Sequence, residues 1–338
     1  MAQAKHTIVL IPGDGIGPEV SGATRRVLDA AGLSVEWVEL PAGAVAIEQG
    51  YDNVLPQRTL AAIKAHKVAL KGPVTTPVGT GFKSVNVQLR QALNLYAAVR
   101  PVVSVPGVKT RFENVDLVVM RENTEGLYSG IENEVTDGVV TSLKVATEKA
   151  CTRIARYAFR YATRRHRRKI TALHKANIMK LTDGLFLRAA RKIHEEEYPN
   201  IEYDEVIIDA GSMMLVQDPT QFDILLTDNL YGDIMSDLCA GLVGGLGVVP
   251  GSNIGDDVAV FEAVHGTAPK IAGQGVANPL ALLMSAVMML DHIHEDAIAE
   301  RVRKAYNNVL AEGKTLTRDL GGTASTDTFA DAIIQQLK

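Results

Sequence analysis

The sequence predicts an α/β protein built around a largely parallel sheet. Three observations support this prediction: short runs rich in β-branched residues recur along the chain, segments with helical periodicity separate them, and no linker rich in Pro, Ser or charge interrupts the alternation. Strands covered by helices on both faces are expected to read as continuous apolar runs. With 338 residues, 46% of them hydrophobic, the chain suffices for one large or two ordinary domains.

Six short apolar runs, rich in β-branched residues, are predicted as buried strands. In chain order they are Thr7–Ile11, Val68–Leu70, Val115–Met120, Ile170–Leu173, Val206–Ile208 and Ile224–Thr227. Seven segments with helical spacing of their apolar residues are predicted as helices. They are Pro18–Ala30, Leu60–His66, Val145–Ala162, Leu181–Glu197, Ile234–Gly241, Pro279–His292 and Asp296–Ala311. Sites in such folds are expected where strands lead into helices.

The segment Glu125–Val145 differs from its surroundings, because three glycines alternate with strand-like pieces. The pieces IENEV and GVVTSLKV predict a β-hairpin arm. The arm is either a surface hairpin or one that pairs with another subunit, and the spacing favours neither.

Charge and cysteine content exclude several classes of protein. The formal net charge of -4 gives no general attraction to nucleic acid or anionic membranes. The longest strongly apolar run, Pro279–Leu290, is shorter than the ~20 residues of a membrane span. Cys151 and Cys239 have no metal-binding or disulfide spacing, and the first residues lack the layout of a signal or transit peptide. We therefore expect a cytoplasmic protein without membrane or nucleic-acid partners.

The basic run Arg164–Arg168 is the one local feature that suggests nucleic acid or a localisation signal. It also ends a predicted helix, where cations interact favourably with the helix dipole. In a net-acidic chain we favour this structural interpretation.

Gly13, Gly15 and Gly17 lie between the first predicted strand and the first predicted helix. Their spacing is similar to a dinucleotide-binding fingerprint, and Glu39 lies near the position of its acidic residue. The last glycine, however, comes one residue early. A tight turn is therefore favoured over a pyrophosphate site.

An acidic cluster indicates a metal site. Asp233 and Asp237 lie four residues apart on a predicted helix, so they share one face, where like charges repel by roughly 0.2–0.5 kcal/mol. A divalent cation would turn this repulsion into attraction. Asp209, predicted to end a strand, is a candidate third ligand, and carboxylates without Cys or His favour Mg²⁺ or Mn²⁺. The alternative is that Asp233 and Asp237 only complement the helix N-terminus.

Three arginines indicate a substrate that carries two or three carboxylates, because a guanidinium group matches two carboxylate oxygens. They are Arg90, Arg100, which closes the segment LRQALNLYAAVR, and Arg121, which ends the predicted strand VDLVVM. Ser84 and Asn86 offer neutral hydrogen bonds beside Arg90. The alternative is that all three arginines are solvated surface residues.

Tyr128 and Lys175 are the candidate proton carriers. Tyr128 follows Arg121 within RENTEGLYSG, and Lys175 directly follows the predicted strand Ile170–Leu173 and His174. A lone Tyr or Lys is more often structural. The assignment of these two therefore depends on the candidate metal ligands and arginines near them.

Together these segments resemble the β-decarboxylating dehydrogenases, the family of isocitrate, isopropylmalate and homoisocitrate dehydrogenases. The resemblance covers nearly the whole chain and rests on IPGDGIGPEV, KGPVTTPVG, LRQALNLYAAVRP, RENTEGLYSG, HKANIMK, NLYGDIMSDLCAGLVGGLG, HGTAPK and DLGG. It implies a fold that is not a Rossmann domain. A discontinuous large domain (1–99 and 244–338) would accompany a small domain (100–243), whose arm (about 125–145) interlocks two subunits. We therefore expect a homodimer or a larger self-assembly.

Within the family, Ser84 and Asn86 resemble the isocitrate branch, where this pair binds the extra carboxylate. Isopropylmalate enzymes instead present an apolar surface with a glutamate, and homoisocitrate enzymes usually lack the pair. The resemblance implies that Arg90, Arg100 and Arg121 hold the substrate carboxylates. It also assigns metal binding to Asp233, Asp237 and Asp209 of the partner subunit, hydroxyl deprotonation to Lys175 of the partner subunit, and enolate protonation to Tyr128.

The resemblance places the dinucleotide against residues 265–278. The implied cofactor-binding residues are Thr75, Glu262, His265, Gly266, Thr267, Ala268, Lys270, Ile271, Asn278 and Asp319. Lys270 and Ile271 combine one residue of the NADP pattern with one of the NAD pattern, whereas the later DLGG is similar to the NAD branch. NAD is therefore expected, with NADP as the alternative, because Lys270 and Arg318 offer charges for a 2′-phosphate.

The resulting prediction is a metal-dependent enzyme that converts isocitrate to 2-oxoglutarate and CO2, as in the tricarboxylic acid cycle. Homoisocitrate, isopropylmalate or tartrate oxidation is the alternative within the enzyme class. A non-catalytic regulatory subunit is the alternative of another class. Such a chain would be expected to have lost Tyr128, Lys175 or one of the aspartates, and all are present.

Overall fold

The computed structural model describes residues 5–76 and 84–337. The end of the segment KGPVTTPVG, from residue 77, therefore lies outside the described residues. The strands within these ranges are β1 (His6–Ile11), β2 (Val35–Glu39), β3 (Val68–Lys71), β4 (Ala97–Val103), β5 (Asp116–Glu122), β6 (Glu132–Thr136), β7 (Val139–Ser142), β8 (Lys169–His174), β9 (Glu202–Ile207), β10 (Ile224–Thr227), β11 (Pro250–Ile254) and β12 (Ala259–Ala263).

The helices within the same ranges alternate with these strands. They are α1 (Gly17–Ala30), α2 (Ala44–Glu48), α3 (Gln57–His66), α4 (Val85–Ala92), α5 (Glu148–Arg164), α6 (Thr182–Glu197), α7 (Ile208–Gln217), α8 (Asn229–Leu242), α9 (Leu280–His292), α10 (Asp296–Glu312) and α11 (Thr326–Gln335). Every strand and helix predicted from the sequence is present as the predicted type, which confirms an α/β protein.

One ten-stranded sheet forms the centre of the fold, in the order β2-β1-β3-β12-β11-β4-β5-β10-β8-β9. Two parallel blocks lie at its sides, and β12, β11, β4 and β5 join them through antiparallel pairings. The prediction of a largely parallel sheet is therefore confirmed for the flanks. The sheet crosses the predicted domain boundary inside β4, so the domain limits stay a prediction.

The sheet register brings two of the predicted arginines together. Arg100 pairs with Val119 across β4 and β5, and Arg121 pairs with Ala98. Paired residues lie on the same face and successive residues on opposite faces, so Arg100 and Arg121 share one face of the sheet.

The helices cover the sheet through apolar faces. The helix α9 is apolar nearly all round and is buried between sheet and neighbouring helices, from Leu280 to Leu290. On the other half of the sheet, α5 and α6 pack together around Phe159, whose complete burial stabilises the fold by roughly 1.5–3 kcal/mol. None of the described helices combines the length and the apolar character needed to cross a membrane.

Two of the predicted boundaries that were wrong concern acidic residues. The helix α8 begins at Asn229 instead of Ile234, because the Asp228 carboxylate accepts the Tyr231 backbone N–H and caps the helix. Asp233 therefore lies in its second turn, and the alternative that it complements the helix N-terminus is wrong. Asp209 does not end a strand but lies in the first turn of α7, because β9 stops at Ile207.

Other segments were missed or shifted. Residues of β11 (PGSNI) have low strand propensity, and their pairing with β12 and β4 overrides it. Arg100 lies within β4, and Arg121 is followed by one more residue of β5. Helix α5 begins at Glu148 instead of Val145, because Thr147 caps it and Val145 bridges to Gly126.

The predicted arm is confirmed as a hairpin. The strands β6 and β7 pair antiparallel in a sheet of their own, separate from the central one. Its apolar side chains point into solvent, and Val135 and Val140 are each 65% exposed. The hairpin therefore lacks an apolar partner within the described part of its own chain.

Candidate active site

A cavity of about 190 Å³ lies on the face of the sheet that carries Arg100 and Arg121. It brings together nine residues that the sequence predicts for substrate, metal and cofactor: Asn86, Arg90, Arg100, Arg121, Asp233, Asp237, Glu262, His265 and Gly266. The alternative that the three arginines are surface residues is wrong, because Arg100 and Arg121 are each 3% exposed and the Arg90 side chain is 11% exposed.

Three of the four cations that line this cavity pair with one carboxylate, that of Glu262. It forms ion pairs with Lys71 at 2.8 Å, Arg100 at 3.1 Å and Arg90 at 3.7 Å. Asn253 also donates to it at 2.6 Å. Burial alone would raise the pKa of Glu262, but the three cations hold that pKa well below its usual range. Glu262 therefore remains ionised and organises the cations that surround it.

Burial also affects the arginines. It lowers the pKa of Arg100 to about 10, and burial together with Arg121 lowers the pKa of Arg90. The lining residues include four cations (Lys71, Arg90, Arg100 and Arg121) and three carboxylates (Asp233, Asp237 and Glu262). With one surplus positive charge, the cavity is suited to an anionic ligand.

Arg121 is oriented by helix α8. Its Nε and Nη2 donate to Asn229 Oδ1 at 3.1 and 2.7 Å, and its Nη1 donates to Asp233. The helix can approach so closely because residue 232 is glycine: a Cβ there would lie 2.4 Å from Arg121 Cγ. Within the motif NLYGD, Asn229 and Asp233 thus orient Arg121, and Gly232 allows the helix to approach it.

Three buried polar atoms around the cavity have no hydrogen-bond partner among residues 5–76 and 84–337. They are Asn86 Oδ1, Arg90 Nε and His265 Nε2. Buried polar groups are nearly always satisfied, so unsatisfied atoms that line one cavity indicate a polar ligand. Burial also lowers the pKa of His265, which favours its neutral form.

Tyr128 contacts the same aspartate as Arg121. Its hydroxyl donates to Asp233, and the Arg121 guanidinium lies 5.1 Å from its ring centroid. Burial and the bond to Asp233 raise the pKa of Tyr128, so the phenol stays protonated. Burial and the nearby Asp233 charge raise the pKa of Asp237. A nearby cation would relieve the repulsion between these two carboxylates.

Lys175 and Asp209 lie apart from the cavity. They form an ion pair at 2.5 Å, with exposed side-chain fractions of 28% and 68%, and neither lines the cavity. Across residues 5–76 and 84–337, no group of three His, Cys, Asp or Glu side chains is arranged to hold a metal. One chain therefore supplies only Asp233 and Asp237 of the predicted metal ligands.

Ser84 also differs from expectation. It is exposed at the start of α4 and does not line the cavity, whereas Asn86, in the first turn of the same helix, does. The described structure thus brings only one member of the Ser-x-Asn pair to the cavity.

A second cavity, of about 530 Å³, adjoins the first and shares His265 and Gly266 with it. Of the predicted cofactor residues it also contains Ala268, Ile271, Asn278 and Asp319. Both carboxylate oxygens of Asp319 are engaged, by Asn278 at 2.8 Å and Thr317 at 2.6 Å. An apolar groove with a few fixed polar groups is typical of a cofactor site.

The remaining cofactor predictions fall around this groove. Arg318 lines it, whereas Lys270 is exposed and does not. Thr75 bonds to Thr267 through their hydroxyls at 2.9 Å, and neither residue lines the groove. Glu262, predicted to bind cofactor, lines only the smaller cavity.

The first glycine loop supports these walls. Gly13 and Gly15 have positive φ, and a Cβ at either would lie about 2 Å from a backbone oxygen, that of Pro73 or Thr267. The Asp14 carboxylate accepts the backbone N–H of Thr75 at 2.6 Å. This geometry supports the tight-turn interpretation of the loop.

Lys71, Asn229, Asn253 and Asp14 were missed as site residues. Lys71 carried a usable signal, because it directly follows the predicted strand Val68–Leu70. The two asparagines and Asp14 carried none, since their roles depend on partners distant in the chain.

Comparison with known proteins is consistent with this geometry. The family model for isocitrate/isopropylmalate dehydrogenase matches residues 7–333. The chain is 52% identical over 332 residues to an Arabidopsis thaliana protein named isocitrate dehydrogenase [NAD] catalytic subunit 5, mitochondrial, covering 98% of this chain and 88% of that protein. It is 49% identical over 331 residues to a Dictyostelium discoideum protein named as a mitochondrial regulatory subunit of isocitrate dehydrogenase [NAD], covering 98% and 91%.

The structure is also similar to a crystal structure of isocitrate dehydrogenase from Methylococcus capsulatus. The TM-score is 0.94 at 51% identity, covering 98% of this chain and 99% of that one. The expected fold, distinct from a Rossmann domain, is thereby confirmed. This chain belongs to the isocitrate/isopropylmalate dehydrogenase family.

Proposed function

We propose that this protein oxidatively decarboxylates isocitrate to 2-oxoglutarate and CO2 while reducing NAD. The observation that carries the proposal is the convergence of Arg90, Arg100 and Arg121 on one cavity that adjoins an apolar groove. Relatives at about 50% identity are named as NAD-dependent isocitrate dehydrogenases, which supports the same reaction.

The charge of the cavity supports a tricarboxylate substrate. Its side chains leave one net positive charge, and a divalent cation would raise this to three. A fully ionised isocitrate carries three negative charges, so the filled cavity would be neutral. This balance favours isocitrate over dicarboxylates such as isopropylmalate or tartrate.

Asp233 and Asp237 would hold the divalent ion from this chain. The raised pKa of Asp237 and the four-residue spacing of the pair fit a cation between them, and oxygen donors suit Mg²⁺ or Mn²⁺. Such an ion, when bound, supplies Lewis-acid chemistry at an oxygen of the substrate. Asp233 would exchange part of its bonding with Arg121 and Tyr128 to accommodate it.

Residues of this chain would bind the substrate, stabilise its developing charge and protonate the product. Arg90, Arg100 and Arg121 bind and orient carboxylates, and their positive charge stabilises the negative charge left on the substrate when CO2 departs. Tyr128 keeps its proton at neutral pH and donates it to the substrate carbon. His265 and Gly266, shared by both cavities, would lie between the substrate and a bound dinucleotide, which would supply the hydride acceptor.

A second copy of the chain would complete the site. Large apolar side chains that follow Lys175, Asp209 and Asp233 in the sequence are exposed, among them Ile178, Leu181, Met213 and Ile234. Exposed apolar patches of this kind mark interfaces. We propose a homodimer in which this patch and the arm are buried and in which Lys175 and Asp209 reach the cavity of the partner. The division into large and small domains belongs to the same proposal.

Mixed dimers test this sharing of residues. Asp233→Asn and Lys175→Ala are each expected to be inactive alone. If each site takes Asp233 from one chain and Lys175 from the other, a mixed dimer contains one intact site, and a random mixture regains about a quarter of wild-type activity. Refolding the two variants together and separately provides the comparison. A mixture that stays inactive would mean that Asp233 and Lys175 of the same chain belong to the same active site.

NAD is proposed as the cofactor because Asp319 presents a carboxylate to the groove and Lys270 does not reach it. Arg318 provides the one nearby charge for a 2′-phosphate among the residues that line the groove. Rates of cofactor reduction at 340 nm with NAD and NADP, each with and without a chelator, measure this preference and the metal requirement together. A higher kcat/KM for NADP would reverse the assignment.

The substrate is tested by the same assay. Isocitrate, homoisocitrate, isopropylmalate and tartrate are compared at equal concentrations, with 2-oxoglutarate identified as the product. Turnover of isocitrate by the isolated chain distinguishes a catalytic subunit from a regulatory one, the role in the name of the Dictyostelium relative. Absence of turnover with all four substrates would refute the proposal.

The compartment stays a prediction. The sequence analysis predicts a cytoplasmic protein, whereas the eukaryotic relatives compared above are named as mitochondrial.

A further inference from the structure

We propose a second anion site, in a basic cleft on the opposite face of the sheet from the substrate cavity. The cleft has a volume of about 660 Å³ and is formed by α5 on one side and by α9 and the start of α10 on the other. We infer that it binds a small molecule carrying two or more phosphate charges.

The cleft and the substrate cavity lie on opposite faces of the same sheet, so only the sheet backbone separates them. On β4, Val99 and Pro101 line the cleft, whereas Arg100 between them lines the substrate cavity. On β12, Phe261 lines the cleft and Glu262 lines the cavity. This alternation follows from the two-residue period of strands, and it shows that the cleft is distinct from the catalytic site.

Charges in the cleft are predominantly positive. Its lining includes Arg160, Arg164, Arg165 and Arg167 together with two histidines, against Asp291 and Asp296. Arg167 is neutralised by Asp116 and Asp223, and Arg165 approaches Asp291 only at 3.4 Å. Asp291 is shared with Arg303. The carboxylates therefore neutralise the charge of some of these arginines but not of all of them.

Arg160 and Arg164 are the cations left over. Neither forms an ion pair with any aspartate or glutamate among the described residues. The Arg160 guanidinium lies 5.3 Å from the Tyr157 ring centroid and bonds to the neutral Tyr96 side chain, so its charge is not compensated by a carboxylate. They lie four residues apart on α5, where like charges repel. The helix dipole accounts for Arg164 in the last turn but not for Arg160 one turn earlier. An anion between the two guanidinium groups would turn this repulsion into attraction.

Ligand chemistry follows from the groups present. Guanidinium groups bind phosphate oxygens in pairs, and two or more of them select a multiply charged phosphate. The rings of Tyr157, Tyr161 and Phe261 also line the cleft, and its volume exceeds what a single phosphate fills. The basic run Arg164–Arg168, attributed above to the helix dipole, thus acquires a second role.

Calorimetric titration of the full-length protein with inorganic pyrophosphate tests the proposal. The titration is done without metal and at constant ionic strength, first without isocitrate and then with an excess of isocitrate to compete for the substrate cavity. We expect saturable binding that Arg164→Gln weakens about tenfold, the loss of roughly one charged contact. The matched control is Arg168→Gln, which removes the same charge from the same run but does not line the cleft. Its Kd should stay within about twofold of wild type.

Three results would overturn the proposal. Wild-type protein that does not bind pyrophosphate under these conditions has no such site. Equal weakening by Arg164→Gln and Arg168→Gln would indicate general attraction to a basic surface. Binding that disappears when isocitrate is added would place the anion in the substrate cavity. Both arginines are exposed, and thermal melting verifies that each variant is folded.

Discussion

The charges around Glu262 and the charges of Lys175 and Asp209 are held in opposite ways. Glu262 and Lys71 are buried, with 4% and 1% of their surface exposed, and Glu262 also pairs with two arginines of the same chain. Within the described part of the chain, the charged groups of Lys175 and Asp209 pair only with each other, and their side chains are 28% and 68% exposed. The charges around Glu262 are neutralised within one chain, whereas Lys175 and Asp209 remain accessible to a second chain.

The difference follows from the cost of burying charge. A buried ion without its counterion is strongly destabilising, so the groups that bind substrate must be neutralised by residues of the same chain. An exposed pair contributes little and can exchange partners at little cost. We infer that the substrate-binding arginines are preorganised in the monomer, whereas the deprotonation assigned to Lys175 depends on assembly of two chains.

The largest expected effect is on turnover. Asp233→Asn removes a charge that contacts both Arg121 and Tyr128, and we expect kcat to fall at least about 10³-fold. Its side chain is 44% exposed, so the thermal midpoint should change little. Cofactor reduction at 340 nm and thermal melting are the two measurements. Retained turnover would rule out Asp233 as a metal ligand.

The next effect, on stability, tests the comparison directly. Glu262→Gln leaves Lys71 and Arg100 buried without a carboxylate, and we expect a loss of about 3–5 kcal/mol in unfolding free energy. The control Asp209→Asn breaks the exposed pair and should leave unfolding nearly unchanged. Urea denaturation of the three proteins gives both values. Equal losses in the two variants would remove the distinction between the two regions.

A smaller effect is expected on substrate affinity. Arg90→Lys keeps the charge near Glu262 but loses the guanidinium fork, including the unpaired Nε. We expect KM for isocitrate to rise about 10- to 100-fold with a modest change in kcat. Steady-state kinetics with varied isocitrate measures this. An unchanged KM would mean that Arg90 does not contact substrate.

The smallest effect is a pH dependence. The pKa of Glu262 is depressed in the folded state, so its contribution to stability is complete above the ordinary carboxyl pKa of about 4.3 and is lost as pH falls through the folded value. The stability difference between wild type and Glu262→Gln should therefore be constant near neutrality and shrink in acid. Urea midpoints at several pH values provide the test. A difference that grows on acidification would contradict the direction of the shift.

Local patterns account for much of what was predicted. Buried apolar runs and helical spacing located β1, β3, β5, β8 and β10 with their helices, because strands covered on both faces must be apolar. Residue type and position near strand ends predicted Arg121, Asp233 and Asp237, which line one cavity. Lys175 lies outside that cavity, and its role stays a prediction. The family motifs added residues that line the apolar groove.

What the sequence determined by itself is therefore the α/β class, the family and most residues of the cavity. Only the tertiary structure decided that Lys71 and Glu262, 191 positions apart in the chain, neutralise each other, that Gly232 lets α8 approach Arg121, and that the run at Arg164 faces a cleft. These contacts join distant segments and leave no periodic signal, because their partners are set by sheet order and register. A polar strand such as β11 is missed for the same reason, since its neighbours β4 and β12 stabilise it more than its own residues do.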